Sequence, residues 1–312
     1  QGIGAAVVRA LADAGASVVV SGRTLSKLEQ IAEDLRAEGR NVWAAGCDVS
    51  DPASILRLAA VAKEKLGPVD ILVNNAGIAH SAPIARTSLE DWEKMMRINA
   101  TGAFLCLQAF LPDMLERKWG RIVNVASMAG LMGMPYIIAY TASKHALVGL
   151  TRAAAAEVGK HGVTVNAVCP GYVETPMTEA TIENVVRKTG KSAEEARAAI
   201  LSTMPAGRMI QPDEVATAVL ALVTDEQGRE LFHSGAIRDD GHLDPRAHAY
   251  KIVMVRHDGT EASQRDPQNF HAAAFARVIG PGTADVARYA VTIPEGVKRV
   301  KVEAKLNWRK FN

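Results

Sequence analysis

The 312-residue sequence predicts an α/β protein: a doubly wound parallel sheet over residues 1–227, then a small β-rich antiparallel segment over 228–312. The short apolar run Val69–Asn74 lacks polar alternation, which is typical of a strand buried in a parallel sheet, and Val163–Val168 is predicted as a further strand. Amphipathic helical patterns separate these runs at the spacing of βαβ units. After about residue 225 the pattern changes to a period of two, so we expect two domains.

Composition excludes several functional classes. The formal net charge of +2 gives no bulk electrostatic reason to bind nucleic acid or a membrane surface. Cys47, Cys106 and Cys169 are scattered, which favours a reducing compartment and argues against a zinc site, so we expect no metal. No apolar run looks long enough to cross a bilayer and no signal-peptide pattern is visible, so the expected location is the cytoplasm.

The first residues form a phosphate-binding candidate. Gly2, Ile3 and Gly4 stand directly before a helical pattern in which Val8 and Leu11 share one face. A glycine turn at a helix start presents backbone N–H groups and the positive end of the helix dipole to a phosphate.

The next strand, predicted at Ala16–Val20, leads to a position that distinguishes NAD from NADP. An acidic residue there would bind the adenosine ribose hydroxyls in a doubly wound fold. This chain has Gly22 followed by Arg23, whose planar guanidinium suits a 2′-phosphate. NADP(H) is therefore favoured over NAD(H), with a solvated loop charge as the alternative for Arg23.

Helices and strands then alternate. We predict helices at 25–38, 54–66, 92–115, 140–158 and 213–222, and strands at 42–45, 69–74, 122–125 and 163–168. Asn75, Ala76 and Gly77 follow the strand at 69–74, where small residues let a ligand approach the backbone. Asn75 is equally well explained as a tie between strands.

Three side chains predict a proton-donating site for a carbonyl group. The strand at 122–125 places Ser127 at its carboxyl end, and the following helix carries Tyr140 and Lys144 on one face. A carbonyl that accepts hydride develops negative charge on oxygen, which a donor must neutralise. Tyr has a pKa of about 10, and a nearby ammonium should lower it.

The spacing of Ser127, Tyr140 and Lys144, together with the motifs at 74–77, 98–102 and 169–177, resembles the short-chain dehydrogenase/reductase family over residues 1–225. The resemblance implies a Rossmann-like fold. In that family a first strand and a further loop glycine precede Gly2, so we expect an N-terminally truncated domain with a gap in its core. The runs around Tyr140 and 165–177 look most similar to 3-oxoacyl-thioester and polyketide ketoreductases.

The resemblance also implies residue roles. Asn99 would lie in a local distortion of its helix and hold a water that links Lys144 to solvent, which completes a catalytic tetrad with Ser127 and Tyr140. Asp48 would bind the adenine edge, although a turn or helix-cap role is the alternative. The implied cofactor contacts are Gly2, Ile3, Gly4, Arg23, Asp48, Val49, Asn75, Ala76, Gly77, Tyr140, Lys144, Pro170, Gly171, Val173 and Thr175.

The family pattern ends near Asp225. Before it, a broken helical segment at 177–209 is expected to cover the substrate and to carry Arg187, Lys188 and Lys191, which either meet a carrier's phosphates or form a solvated basic face. Beyond it, alternating runs at 250–256, 273–279, 286–293 and 297–308 predict strands, to which we assign no function.

The predicted function is NAD(P)H-dependent reduction of a ketone to a secondary alcohol, or the reverse oxidation. The substrate would be a small carbonyl or alcohol, free or attached to CoA or a carrier, and the assembly a homotetramer or homodimer. Two alternatives stay open: an epimerase or dehydratase on the same fold, and a catalytically defective truncated fusion or scaffold.

Overall fold

A computed structural model describes residues 2–202, 204 and 207–223, and the backbone of two further strands. The strands are β1 Val18–Gly22, β2 Val42–Gly46, β3 Ile71–Asn74, β4 Gly120–Val125, β5 Val163–Val168, β6 Ile252–Val255 and β7 Ala272–Ala276. The helices are α1 Gly2–Asp13, α2 Leu25–Ala37, α3 Pro52–Leu66, α4 Leu89–Met96, α5 Gly102–Glu116, α6 Ile138–Val158, α7 Pro176–Thr189, α8 Ala193–Leu201 and α9 Pro212–Ala221.

The strands of the first 223 residues pair in parallel, which confirms the predicted α/β class. β1 pairs with β2, and β4 lies between β3 and β5. The predicted start of β1 at Ala16 is wrong by two residues, because pairing begins only where the Val18 amide donates to the Asn41 carbonyl at 2.9 Å. β3 likewise starts at Ile71 rather than Val69.

The expected gap in the core lies between β1 and β3. In the part of the chain that the structure describes, these strands belong to separate sheets, and a cavity of about 760 Å³ is lined by every residue of both. Val8 and Leu11 of α1 line it, as do Cys106 and Phe110 of α5.

The helix α1 is held by an apolar face. Val7 and Leu11 pack with Val123 of β4 and with Ala216 and Val219 of α9. Burying these side chains anchors α1 to the central strand and so positions the glycines at its first turn.

A buried polar chain joins β3, β4 and α6. The Asn74 amide donates to Asn124 at 2.9 Å, and the Asn124 amide donates to the Thr151 hydroxyl at 2.8 Å. Thr151 in turn donates to the Leu147 carbonyl at 2.8 Å, within α6. Because buried polar groups are costly unless they are hydrogen-bonded, this chain holds the second half of α6 against the sheet.

One long helical run contains a distortion. α4 and α5 are joined by a π-helical turn at Arg97–Thr101, which agrees with the expected irregularity at Asn99. The whole run Leu89–Glu116 is long and apolar enough to span a membrane by length and composition, so the expectation that no run qualifies was wrong. Its buried residues Cys106, Phe110 and Met114 belong to the core that contains Ile122 of β4, as in a core helix of a folded domain.

The segment expected to cover a substrate is helical with a break, as predicted. α7 begins at Pro176, and the Thr175 hydroxyl accepts from the Thr178 amide at 3.4 Å. α8 begins with a reciprocal capping box between Ser192 and Glu195.

The chain divides into two compact units, of which the second contains β6 and β7. These two strands are antiparallel, with an irregularity between Val253 and Met254. They correspond to the first two strands predicted in the tail, whereas those predicted at 286–293 and 297–308 lie outside the described residues. The domain limits at 227 and 228 stay predictions.

The turn between α6 and β5 gives a test of the fold. Gly162 has φ +77°, and a Cβ there would lie 2.0 Å from the Lys118 carbonyl oxygen. We expect Gly162→Ala to lower the free energy of unfolding by about 2 kcal/mol or more, because left-handed backbone and a steric clash add. Thermal unfolding followed by circular dichroism measures this.

The matched control is Gly159→Ala, three residues earlier in the same turn. Gly159 has φ −57° and no atom within 4 Å of an added Cβ. We expect it to leave the unfolding temperature unchanged or slightly higher. Equal effects of the two substitutions would contradict the described turn.

Candidate active site

The site begins where β4 ends. Ala126 continues the ladder, since its amide donates to the Val168 carbonyl at 2.8 Å. Ser127 then opens a short turn at Met128–Gly130, and its hydroxyl oxygen accepts from the Ala129 amide at 3.1 Å. The parallel sheet thus delivers the Ser127 hydroxyl at the carboxyl edge of its central strand.

The helix α6 brings Tyr140 and Lys144 to the same edge. Lys144 is 4% exposed, and its Nζ donates to the Val125 carbonyl at 2.9 Å. The same Nζ lies 5.8 Å from the centroid of the Tyr140 ring. One backbone carbonyl of β4 therefore holds the ammonium one helical turn beyond the phenol.

The pKa values of this pair differ from the expectation. Burial raises the pKa of Tyr140 above its ordinary value, while a hydrogen bond with Ser127 acts in the opposite direction. Burial lowers the pKa of Lys144 to about 8. The net shift of the Tyr140 pKa is therefore upward, whereas the sequence led us to expect a lowered pKa, because desolvation outweighs the contacts that favour the phenolate.

Asn99 is part of this cluster and is almost completely buried. Its Oδ1 accepts from the Ile78 amide at 2.8 Å, and its Nδ2 donates to the Ile78 carbonyl at 2.9 Å. Nδ2 also donates to the Ser143 hydroxyl at 3.0 Å. The side chain of Asn99 therefore binds protein groups on all sides, and a role in holding water stays a prediction.

A cavity of about 400 Å³ gathers most of the predicted site. It is lined by Gly2, Ile3, Gly4, Asn75, Ala76, Gly77, Ser127, Tyr140, Lys144, Pro170, Gly171, Val173 and Thr175. Two glycines allow the segments that line this cavity to pack closely against each other. A Cβ at Gly4 would lie 2.8 Å from the Asn75 amide nitrogen, and one at Gly2 would lie 3.1 Å from Cγ2 of Thr175.

The remaining predicted residues lie around the larger cavity. Arg23, Asp48, Val49 and Asn99 line it, and it shares Gly4 and residues 75–77 with the smaller one. Asp48 accepts from the Ser50 amide at 2.9 Å and from the Ser50 hydroxyl at 2.7 Å, which lowers the pKa of its carboxyl. This is the turn role that the sequence left open for Asp48.

The family model for short chain dehydrogenase matches residues 1–185, more than half of the chain. The chain belongs to this family.

Similar proteins come from several branches of the short-chain dehydrogenases. The chain is 42% identical over 228 residues to a Streptomyces violaceoruber protein named as ketoacyl reductase 1 of the granaticin polyketide synthase, covering 72% of this chain and 84% of that protein. It is 38% identical over 232 residues to D-beta-hydroxybutyrate dehydrogenase of Cupriavidus necator, covering 74% and 90%.

A solved structure of the family is also similar. A crystal structure of a variant of actinorhodin polyketide ketoreductase with NADPH matches with a TM-score of 0.68 and 41% identity, covering 71% of this chain and 85% of that one.

The short-chain dehydrogenase site contains residues that sequence reasoning missed. Met134, Ile137, Tyr172 and Thr181 line the smaller cavity, and Ser143 contacts Asn99. Ser143 lies three residues after Tyr140 on a helix, so the sequence spacing could have predicted that the two are close. Its contact with Asn99 depends on tertiary packing and has no such signal.

Two of the basic residues of α7 have roles in this structure that the sequence did not predict. Lys188 donates to the Ser81 carbonyl at 2.8 Å, and Arg187 donates to Asn184 Oδ1 at 2.8 Å. The Asn184 amide donates to the Ser81 hydroxyl at 2.7 Å. These contacts connect α7 to the segment that follows β3, beside the smaller cavity.

The buried ammonium predicts a pH dependence of stability. The Lys144 pKa falls from 10.5 unfolded to about 8 folded, so between these values the unfolded chain holds the extra proton. Stability should therefore rise with pH in this window. From pH 7 to 10.5, the free energy of unfolding of wild type relative to Lys144→Met should increase by about 3 kcal/mol.

Chemical unfolding at several pH values measures that difference. Lys160→Met is the control, because Lys160 is exposed at the end of α6 and its ammonium stays hydrated. Its difference from wild type should stay flat over the same range. A flat difference for Lys144→Met as well would show that the ammonium is not desolvated.

Proposed function

We propose that this chain is an NAD(P)H-dependent reductase that converts the ketone of a neutral substrate, such as a 3-oxoacyl thioester, to a secondary alcohol. One observation carries the proposal: Ser127, Tyr140 and Lys144 line one cavity together with the glycines at the first turn of α1 and residues 75–77. Hydrogen-bond donors for a developing oxyanion thus lie next to a space that could hold a nucleotide.

The residues present fit a nicotinamide cofactor. Gly2 and Gly4 put no side chain beside the first backbone N–H groups of α1, which suits a phosphate at the start of this helix. A Cβ at either position would also crowd Thr175 or Asn75. When bound, the cofactor supplies hydride to the carbonyl carbon. Lys144 and the backbone around Gly77 would contact its ribose and nicotinamide end.

The protein groups handle the proton and the oxygen. Tyr140 gives its phenolic proton to the oxygen as negative charge develops there. Ser127 stabilises the same oxygen through its hydroxyl. Lys144, held by the Val125 carbonyl, supplies positive charge beside the phenolate that results.

The cavity favours a substrate without a free carboxylate. Among the described residues that line it, Lys144 is the cationic side chain, and it already binds Val125. Met134, Ile137 and Met177 contribute apolar surface. A carboxylate would be desolvated there without a partner, which is unfavourable, whereas a thioester or ring ketone carries no such charge.

NADP(H) is the proposed cofactor form. Arg23 is exposed directly after β1 and lines the larger cavity beside Asp48. Its guanidinium suits a 2′-phosphate, and no acidic residue occupies positions 21–24 to bind the ribose hydroxyls instead.

We extend the proposal to assembly and location. Leu89 of α4 is 70% exposed and Phe104 of α5 is 43% exposed, so the long helical run presents apolar surface that suits a homodimer or homotetramer. The cytoplasm is the proposed location, because the scattered cysteines suit a reducing compartment.

A second candidate is a chain that binds nucleotide without turnover. The cavity of about 760 Å³ between β1 and β3 favours it, because strands that do not pair across it can hold Gly4 and residues 75–77 less rigidly. Catalytic groups must be held within about 0.5 Å of productive geometry.

The first prediction concerns Tyr140. Wild-type chain should oxidise NADPH, followed by its absorbance, in the presence of a short 3-oxoacyl thioester. Tyr140→Phe should lower kcat by about 100-fold or more, because the proton donor is lost. Tyr136→Phe is the control: Tyr136 is 69% exposed and should retain the rate.

The same assay with the corresponding 3-oxo acid tests the substrate class. We expect a kcat/KM at least about tenfold lower than for the thioester, owing to the unpaired carboxylate. Equal values would contradict a neutral substrate. No turnover of any ketone, with NADPH still raising the unfolding temperature, would favour the second candidate.

The second prediction concerns Arg23. Arg23→Asp should reduce the ratio of kcat/KM for NADPH over NADH by about tenfold or more, because a bidentate phosphate contact becomes a repulsion. Lys27→Ala, an exposed cation one turn into α2, should change the ratio little. An unchanged ratio of kcat/KM for NADPH over NADH in Arg23→Asp would show that Arg23 is only a solvated loop charge.

A further inference from the structure

Ser143 occupies a buried junction between three segments of the site. It is fully buried on α6, between Tyr140 and Lys144 in sequence. Its hydroxyl donates to the Tyr140 carbonyl at 2.8 Å and accepts from the Asn99 amide at 3.0 Å. Both hydrogen-bonding capacities of this hydroxyl are thus directed to residues of the predicted tetrad.

The contacts of Asn99 extend this junction to the cofactor side. Asn99 binds both the amide and the carbonyl of Ile78, directly after Gly77. A Cβ added at Gly77 would lie 3.3 Å from Asn99 Oδ1 and 3.5 Å from Lys144 Nζ. One hydrogen-bonded relay therefore joins the segment after β3, the π-helical turn at Arg97–Thr101 and α6.

The side-chain amide of Asn99 uses both of its N–H donors in this relay. The Ile78 carbonyl and the Ser143 hydroxyl are their oxygen acceptors, and the Met95 sulfur lies 3.8 Å from the same nitrogen as a weaker one. If the Ser143 hydroxyl is removed, one N–H of Asn99 loses its oxygen acceptor, and the Tyr140 carbonyl loses a donor.

We infer that Ser143 is a positioning residue that fixes the rotation of α6 against the π-helical turn, and through it the placement of Tyr140 and Lys144 toward the cofactor wall. The activity part of this inference rests on the proposed reductase function. Ser143 does not itself line the cavity described around Tyr140, so it acts through its neighbours.

The chain offers a matched control on the same helix. Thr151 is buried, donates to the Leu147 carbonyl at 2.8 Å and accepts from the Asn124 amide at 2.8 Å. Ser143→Ala and Thr151→Val each remove one buried hydroxyl with the same kind of partners, two turns apart. Both should lower the unfolding temperature by similar amounts, whereas only Ser143 joins the site.

The experiment compares kcat, KM and unfolding temperature of wild type and both variants. We expect Ser143→Ala to lower kcat by about tenfold or more with a KM within about threefold of wild type, because misplacement affects the reacting groups more than binding. Thr151→Val should keep kcat within about twofold. Equal kcat in the two variants would overturn the inference.

A second readout does not need turnover. Ultraviolet difference titration of ligand-free protein against Tyr140→Phe reports the ionisation of Tyr140. Its pKa is raised by burial, so it should move back toward the ordinary value in Ser143→Ala, where looser packing admits solvent, and stay unchanged in Thr151→Val. If wild type reduces no ketone, the proposed function fails while this titration still decides the role of Ser143.

Ser143→Cys guards against a variant that does not fold. The thiol fills the site but is a weak donor and acceptor, so kcat and the Tyr140 titration should lie between wild type and Ser143→Ala. Wild-type values in a folded Ser143→Cys, together with an unfolded Ser143→Ala, would reduce Ser143 to a packing residue and overturn the inference.

Discussion

The hydrogen bond from Lys144 to the Val125 carbonyl is the constraint on which the site depends. Burying an ammonium to this degree is costly without a hydrogen-bond acceptor, and the carbonyl at the end of β4 supplies one. The bond ties the second turn of α6 to the central strand, so Lys144 of the proposed tetrad helps to set the register of α6 along β4. Ser127, two residues beyond Val125, and Tyr140, one turn before Lys144, are placed by the same contact.

Small residues let the segments come close enough for this arrangement. A Cβ at Gly130 would lie 2.7 Å from the Lys144 carbonyl oxygen, so the turn that follows Ser127 can pack directly on the backbone of α6. A Cβ at Gly102 would lie 2.9 Å from the Val49 carbonyl oxygen, so the start of α5 can pack directly on the backbone of the loop that follows β2. Glycine here acts by leaving space rather than by adopting unusual backbone angles.

The sequence was most informative where a chemical requirement coincides with a local pattern. The apolar run at 122–125 predicted a parallel strand because the residues of β4 are covered on both faces, and the four-residue spacing predicted that Tyr140 and Lys144 share a face. It failed where the partner is a backbone group of a distant segment. The Val125 carbonyl that holds Lys144 and the Ile78 backbone that holds Asn99 carry no side-chain signature, so their contacts follow only from the packed fold. The pKa of Tyr140 was mistaken for the same reason, since proximity in sequence does not show how much solvent the fold excludes.

The raised pKa of Tyr140 affects the two directions of the proposed reaction differently. A proton donor to an alkoxide must be protonated beforehand, and a phenol with an ordinary pKa of about 10 already holds its proton at neutral pH. Burial raises the Tyr140 pKa further, which makes the phenol a weaker acid, so proton transfer to the substrate oxygen needs stabilisation of the phenolate that forms. Lys144, whose Nζ lies 5.8 Å from the centroid of the Tyr140 ring, would supply positive charge near that phenolate. Oxidation of an alcohol would instead require a phenolate in the resting site, which the burial of Tyr140 opposes.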